Sequence, residues 1–421
     1  MDDTSKAPGR AAEHVDESRL WQRHMDMARL GATPKGGVRR LALDDNDNKA
    51  RALLVEWGKP RGFTAALDPI GNLFIRRSGS EATAAPVLSG SHTDTQPSGG
   101  RFDGIYGVLA AFEALEAIDA AGIVTRRPIE AAVWTCEEGG ARFPTGTMGS
   151  SAFAGHRSLD LALADEDGAG TTVAEALKST RSALPGVAER PLGFEVAAFV
   201  EAHIEQGPIL EAEGKTIGIV TGIQGARRFR IEIDGEDGHA GTMPHRKRRD
   251  ALKAAVSMIH ALEALFDDPN DVVRFTIGRL VIKPDAPAVI PGHAMFTIDF
   301  RHPEEKVLAR LGDQVAGICA ANRRGCEVKV VEYSNTKPIL FSGLVPDAIG
   351  RAARRQGLSH MAIHSGAGHD AMHLFHVAPT GMIFVPCWRG ISHNETEDAK
   401  SADLAAGARV LAEVLVDLAN R

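Results

Sequence analysis

Five side chains of the kind that bind hard or borderline metal ions, His92, Asp103, Glu138, His203 and His393, lie in or beside polar turns next to apolar runs. Imidazole nitrogen and carboxylate oxygen suit an ion such as Zn²⁺. Five such donors without a thiolate suit two ions a few ångströms apart that share one carboxylate. His92 stands in Gly90-Ser91-His92-Thr93-Asp94-Thr95, where Asp94 is placed to hold the imidazole's tautomer from behind, as ligating histidines usually require. Asp103 closes the Gly-rich turn Gly99-Gly100-Arg101-Phe102-Asp103-Gly104. Glu137 directly precedes Glu138. Adjacent carboxylates at a strand end point in different directions, so one can bind a metal while the other acts as general base. Singly, each of these residues reads as an ordinary turn or capping residue. Their combination points to metal-assisted hydrolysis.

Strand ends must carry such a set. Residues 87–90 form a buried-strand candidate, and the next helix has Val108, Phe112 and Leu115 at spacings of four and three. Ile129–Trp134 is the following strand and runs into Cys136-Glu137-Glu138-Gly139-Gly140. Polar residues at strand ends are the usual ligand position of an open α/β sheet. Near residue 220 the pattern changes. Residues 228–234 alternate strictly, as do 295–301, with Phe296, Ile298 and Phe300 on one face and Thr297, Asp299 and Arg301 on the other. Helices are expected over about 248–266 and 304–321. The first style returns with the strand 382–385 and a closing helix striped by Leu404, Ala408, Leu411, Leu415 and Leu418. The expected fold is α/β: an open, mostly parallel sheet with helices on both faces, interrupted by an inserted α+β domain. Residues 1–15 are expected as a polar tail, 16–219 and 334–421 as the metal-binding catalytic domain, and 220–333 as the insert.

The chain has 421 residues, with 48 Lys+Arg against 55 Asp+Glu for a net charge of −7. A mild acid excess without a sustained basic run argues against nucleic acid or an anionic membrane as partner. No apolar run nears the roughly 20 residues of a spanning helix, and the N-terminus lacks signal-peptide character, so a cytoplasmic protein is expected. Cys136, Cys319, Cys326 and Cys387 form no C-x-x-C pair.

The ordered motifs carry the reading further. They are G-S-H-T-D-T-Q-P-S-G-G-R-F-D-G at 90–104, E-E-G-G-A-R-F at 137–143, H-I-E-Q-G-P-I-L-E at 203–211, G-H-A-G-T at 238–242, R-R-D-A at 248–251, P-G at 291–292, S-G-A-G-H-D-A at 365–371 and G-I-S-H-N at 390–394. From about residue 20 onward the chain resembles the di-metal amidohydrolases of the aminoacylase and carboxypeptidase superfamily. Within it, the similarity is to the branch of N-carbamoyl-L-amino-acid hydrolases, bacterial-type β-ureidopropionases and allantoate amidohydrolases. The resemblance implies that His92 and His203 bind one divalent ion, Glu138 and His393 the other, and Asp103 bridges them. Zn²⁺ is the first expectation, with Mn²⁺, Co²⁺ or Ni²⁺ as alternatives. By the same resemblance Glu137 is the general base, Gln206, Arg301 and Gly366 hold the substrate's carboxylate and carbonyl groups, and His239 steadies the oxyanion from a neighbouring subunit. His364, His369 and Asp370 are taken as supporting or turn residues.

The implied reaction is hydrolysis of a linear C–N amide bond in a small substrate with a free carboxylate, first the ureido group of an N-carbamoyl amino acid. An N-acyl amino acid or dipeptide, allantoate, and a non-catalytic binding role are the competing expectations. The insert is expected to serve as lid and homodimer interface. Ala288 stands where the family usually carries Asn, and His245 where Met is common, which bears on substrate rather than chemistry.

Overall fold

The computed structural model describes residues 7–421 and divides into two compact units, Met1–Thr221 with Phe341–Arg421, and Gly222–Leu340. In the first, the strands Thr380–Val385, Ala198–Ile204, Val87–His92 and Ile129–Trp134 lie side by side in that order and run parallel. All four are buried along their whole length, which is why they are mostly apolar; Glu130 and Glu201 are buried exceptions, held by Arg76 and Arg190 and by Ser91 and the Ala371 N–H. Leu73–Arg77 joins Ile129–Trp134 antiparallel, and Ile217–Ile223 joins Thr380–Val385 in the same sense. Register places His92 opposite Trp134 and His203 opposite Phe384. The four parallel strands therefore deliver His92, the Glu137-Glu138 turn, His203 and the turn leading to His393 at one edge of the sheet.

The helices Ile105–Ala120 and Ser401–Ala419 pack with Glu17–Ala28 and Leu344–Arg355 in one core. Ile105–Ala120 is buried nearly all round rather than along a stripe. Its two buried acidic residues are satisfied across the fold: Glu113 accepts hydrogen bonds from Arg19, and Glu116 pairs with Arg23. A separate cluster of Ile70, Cys136, Met148, Val173 and Leu177 packs elsewhere in the unit.

Two expectations are corrected. The stretch 1–15 is not simply a polar tail, because Ala7–Glu13 is a helix whose Ala11 is buried and whose Arg10 donates to the Ala121 carbonyl at 3.1 Å; residues 1–6 lie outside the described part. The second unit ends at Leu340, not at residue 333, because the strand Glu327–Thr336 stays paired with Gly225–Asp234 as far as Thr336 opposite Ala226. This unit is a four-stranded antiparallel sheet in the order Arg274–Lys283, His293–His302, Gly225–Asp234, Glu327–Thr336. Phe229, Ile231, Ile233, Phe296, Ile298 and Phe300 pack in one cluster with Ala254, Met258 and Leu262 of the helix Ala251–Phe266. Asp250 caps that helix through the Lys253 N–H.

Burial of one histidine makes stability depend on pH. His24 is fully buried between Phe102 and Tyr106, and this burial pushes its pKa down to about 4. The unfolded chain takes up this proton near pH 6.5 while the folded chain does not. The contribution is therefore complete above pH 6.5 and is lost as pH falls towards 4, by at most about 3 kcal/mol. Urea unfolding of wild type and His24→Gln should diverge across that window, with the variant showing the shallower fall.

Candidate active site

His92 ends its strand with only 2 % of its surface exposed, and its Nδ1 donates to the Asp94 backbone carbonyl at 2.8 Å. The Asp94 carboxylate has a different partner. It lies 3.8 Å from that nitrogen, too far for a hydrogen bond. Instead it accepts the Glu137 N–H at 3.3 Å and the Glu138 N–H at 3.1 Å, tying the acidic turn to the His92 strand. His203 is likewise buried, with Nδ1 donating to the Ile204 carbonyl at 2.9 Å. Both imidazoles thus keep a lone pair on Nε2. Asp103 Oδ1 lies 3.3 Å from His203 Nε2, which accepts the Gly104 N–H at 3.2 Å, and 3.9 Å from His92 Nε2. Gly104 permits this approach, since a Cβ there would come 2.2 Å from the His92 ring and its φ is +68°.

The other Asp103 oxygen, Oδ2, lies 3.2 Å from His393 Nε2, which is also 3.5 Å from Glu138 Oε1. Donor atoms of His92, Asp103 and His203 all fall within 4.8 Å of one another, as do those of Asp103, Glu138 and His393. Asp103 is common to both groups. Donors about 2.0–2.2 Å from a tetrahedral ion stand roughly 3.3–3.6 Å apart, close to the spacings found here. Asp103 Oδ1 is buried and makes no hydrogen bond among the described residues, an acceptor whose remaining neighbours are ligand nitrogens. The donor set fits divalent cations.

Charge supports the same fit. Burial, with Asp103 next, pushes Glu138 up to about 8, and burial with Glu138 and Asp370 holds Glu137 well above the usual carboxylate range. Burial opposes ionisation of Asp103 too, but the imidazoles of His203 and His393 beside it hold it well below that range. The hydrogen bond to Asp103 raises His393 to about 9. So many buried carboxylates are costly unless cations lie among them.

Glu137 belongs to neither metal-type group. Its Oε2 lies 3.6 Å from His92 Nε2, and its backbone carbonyl accepts the Thr147 N–H at 2.9 Å. Gln206, at φ +56°, directs its amide nitrogen to Asp103 Oδ2 at 2.9 Å, while its amide oxygen is buried without a hydrogen-bond partner. Gly366 is exposed in the turn after Ser365. Arg301 and His239 belong to the second unit. Arg301 donates to Asp299 from Nε at 3.1 Å and Nη2 at 3.2 Å, and Arg228 bonds the same carboxylate at 2.7 Å. His239 Nδ1 accepts the N–H groups of Gly241 and Thr242 at 3.0 and 3.3 Å. That leaves Nε2 to carry the hydrogen as a donor in the neutral ring.

Several supporting residues escaped the sequence reading. Gln96 donates to Glu138 Oε2 at 2.6 Å, and Ser392 reaches Asp103 Oδ2 at 2.9 Å. Glu397 accepts the Phe102 and Asp103 N–H groups. Glu201 accepts from Ser91 at 2.7 Å and from the Ala371 N–H at 2.8 Å. Only Glu397 left a sequence signal, a carboxylate four residues past His393 in a polar turn. His369, taken as a supporting or turn residue, packs edge-on to the His203 ring at 4.5 Å.

The family model described as peptidase family M20/M25/M40 matches residues 88–417. The chain belongs to this family. Members of the M20 family use divalent metal ions, and this M20 chain presents donor groups that fit them. It is 37 % identical to an N-carbamoyl-L-amino-acid amidohydrolase of Rhizobium meliloti, over 98 % of this chain and 99 % of that protein. It is 36 % identical to an allantoate amidohydrolase of Bacillus subtilis, over 93 % and 95 % of the two chains. A crystal structure of an amidase of the hydantoinase/carbamoylase family from Burkholderia multivorans superposes with a TM-score of 0.90 at 45 % identity, covering 97 % of this chain and 98 % of that one. With such relatives along nearly its whole length, this M20 member is an amidohydrolase. No helix among the described residues is long and apolar enough to cross a membrane.

Proposed function

We propose that this chain hydrolyses the ureido C–N bond of an N-carbamoyl amino acid, giving the free amino acid, ammonia and carbon dioxide. The observation that carries the reading is the meeting of two ligand groups at Asp103 with the separate carboxylate of Glu137 beside them. Bound divalent ions, Zn²⁺ first, would polarise the scissile carbonyl and ease deprotonation of water. Glu137 takes a proton from the attacking water as its oxygen adds to the ureido carbon. It then returns that proton to the amino-acid nitrogen as the C–N bond breaks, and the carbamic acid released falls apart to ammonia and carbon dioxide. A carboxylate whose pKa burial has raised is suited to carrying a proton through such a step. The unpaired Gln206 amide oxygen supplies an acceptor for an N–H of the ureido group.

In this reading Arg301 clamps the substrate carboxylate, already oriented by Asp299. Gly366 lends backbone room and hydrogen bonding to the substrate, and the outward Nε2–H of His239 steadies the oxyanion. The second unit then serves as lid and homodimer interface.

Product analysis tests the proposal. Purified protein is offered N-carbamoyl amino acids, N-acyl amino acids, a dipeptide and allantoate, and amine and ammonia are measured separately. N-carbamoyl amino acids should give equimolar amino acid and ammonia with the highest kcat/KM. Release of amine from N-acyl substrates with no ammonia from N-carbamoyl ones would overturn it.

A further inference from the structure

We propose that Glu397 is the positioning residue that sets the spacing of Asp103 and His393, and so holds one of the two metal ions without touching it. The inference rests on the binuclear reading above.

His393 needs an anchor. It stands in left-handed backbone at φ +54° with half its side chain exposed, and lies in neither helix nor strand. His92 and His203 are fixed by backbone carbonyls of their own strands' ends. No such bond is present for His393 among the described residues. What ties its loop down is Glu397, which is 1 % exposed. One carboxylate oxygen accepts the N–H groups of Phe102 at 2.7 Å and Asp103 at 3.0 Å, although those residues lie almost three hundred positions away. The other oxygen is 2.9 Å from the hydroxyl of Ser392, the residue directly before His393. That same hydroxyl lies 2.9 Å from Asp103 Oδ2. A single carboxylate therefore spans the loop that carries the shared ligand and the loop that carries the exposed one. The fit is close: a Cβ on Gly100 would come 2.1 Å from the Glu397 carboxyl carbon, so the Gly-rich turn leaves room for this group.

A carboxylate that reaches two backbone donors and a hydroxyl acts by length more than by charge. Gln keeps the oxygen that receives the Phe102 and Asp103 N–H groups and can still meet Ser392. Asp keeps the charge but is one methylene short. The consequence is selective, because the His92–His203 group has its own anchors.

The test is Zn²⁺ binding, measured as equivalents per chain after dialysis and by competition with a chromogenic chelator. Wild type should bind two equivalents. Glu397→Ala and Glu397→Asp should keep one tight equivalent and bind the second about 10–100-fold more weakly, the loss usual for partners behind metal ligands. Glu397→Gln should hold both within about threefold, since its hydrogen bonds survive. Excess Zn²⁺ should restore kcat of the Asp variant with substrate KM unchanged. If Glu397→Ala does not fold, the Asp and Gln pair carries the comparison. Two tight equivalents in a folded Ala or Asp variant would overturn the proposal, as would retention in Asp with loss in Gln. Fewer than two equivalents in wild type would overturn the binuclear reading and this proposal with it.

Discussion

Glu137→Gln should lower kcat on the best substrate by about 10²–10⁴-fold, the contribution usual for a positioned general acid–base group. Gln preserves volume and the backbone bonds to Asp94 and Thr147, so the turn should keep its shape. Because Glu137 lies outside both ligand groups, the variant should bind the same number of metal equivalents as wild type. KM should change far less than kcat, since the proton is moved only in the transition state. A loss of under about tenfold would remove Glu137 from the role of base and leave the water to be deprotonated by another group. The variant also relieves a cost. Burial and the charge of Glu138 disfavour an ionised Glu137, so removing the carboxyl should leave thermal stability equal or higher, the pattern expected where function is placed at the expense of stability.

Residue type and local pattern go far here because the candidate site lies at the ends of parallel strands. A strand buried on both faces is mostly apolar, and the polar turn past it is then placed beyond the strand ends; Ile129–Trp134 followed by Glu137-Glu138 shows this, with Glu130 the buried exception. What pattern does not carry is which atom of a residue does the work. Asp94 is named by pattern as a supporting partner of His92, but pattern does not say that its backbone carbonyl holds the imidazole while its carboxylate turns to Glu137 and Glu138. That choice depends on a loop conformation no periodicity encodes. Contacts between distant segments are hidden for the same reason. Nothing in Ala-Pro-Gly-Arg-Ala-Ala-Glu announces a helix, since Pro and Gly weaken it; the burial of Ala11 in the core shared with Ser401–Ala419 makes the difference. Glu397 stands close to His393 in sequence, but its role does not show there, because it lies in N–H groups at Phe102 and Asp103.

Removal of divalent ions by chelation should abolish turnover by a hundredfold or more, with recovery on adding Zn²⁺, Mn²⁺, Co²⁺ or Ni²⁺, because Lewis acidity at the scissile carbonyl is worth several kcal/mol and each 1.36 kcal/mol is tenfold in rate. The site adds a second expected effect. Without cations the buried carboxylates repel one another, as the rise of Glu138 to about 8 through burial and Asp103 shows. Ions bound to the folded chain stabilise it by mass action, by about 4 kcal/mol at a thousandfold excess over Kd. Chelated protein should therefore melt at lower temperature, and the deficit should widen as pH rises from the ordinary carboxylate range to about 8 and level off above it, once Glu138 ionises beside Asp103 in both states. The sign follows from the direction of the shift: a carboxyl raised by burial contributes stability when protonated and loses it as pH climbs up to its folded value. Asp103→Asn separates the shared ligand from the rest. It should weaken both ions together, since both groups meet at Asp103, whereas His393→Ala should weaken one. Equal, single-ion losses in the two variants would show that Asp103 does not bridge, and full activity of metal-free protein would end the metal-dependent reading altogether.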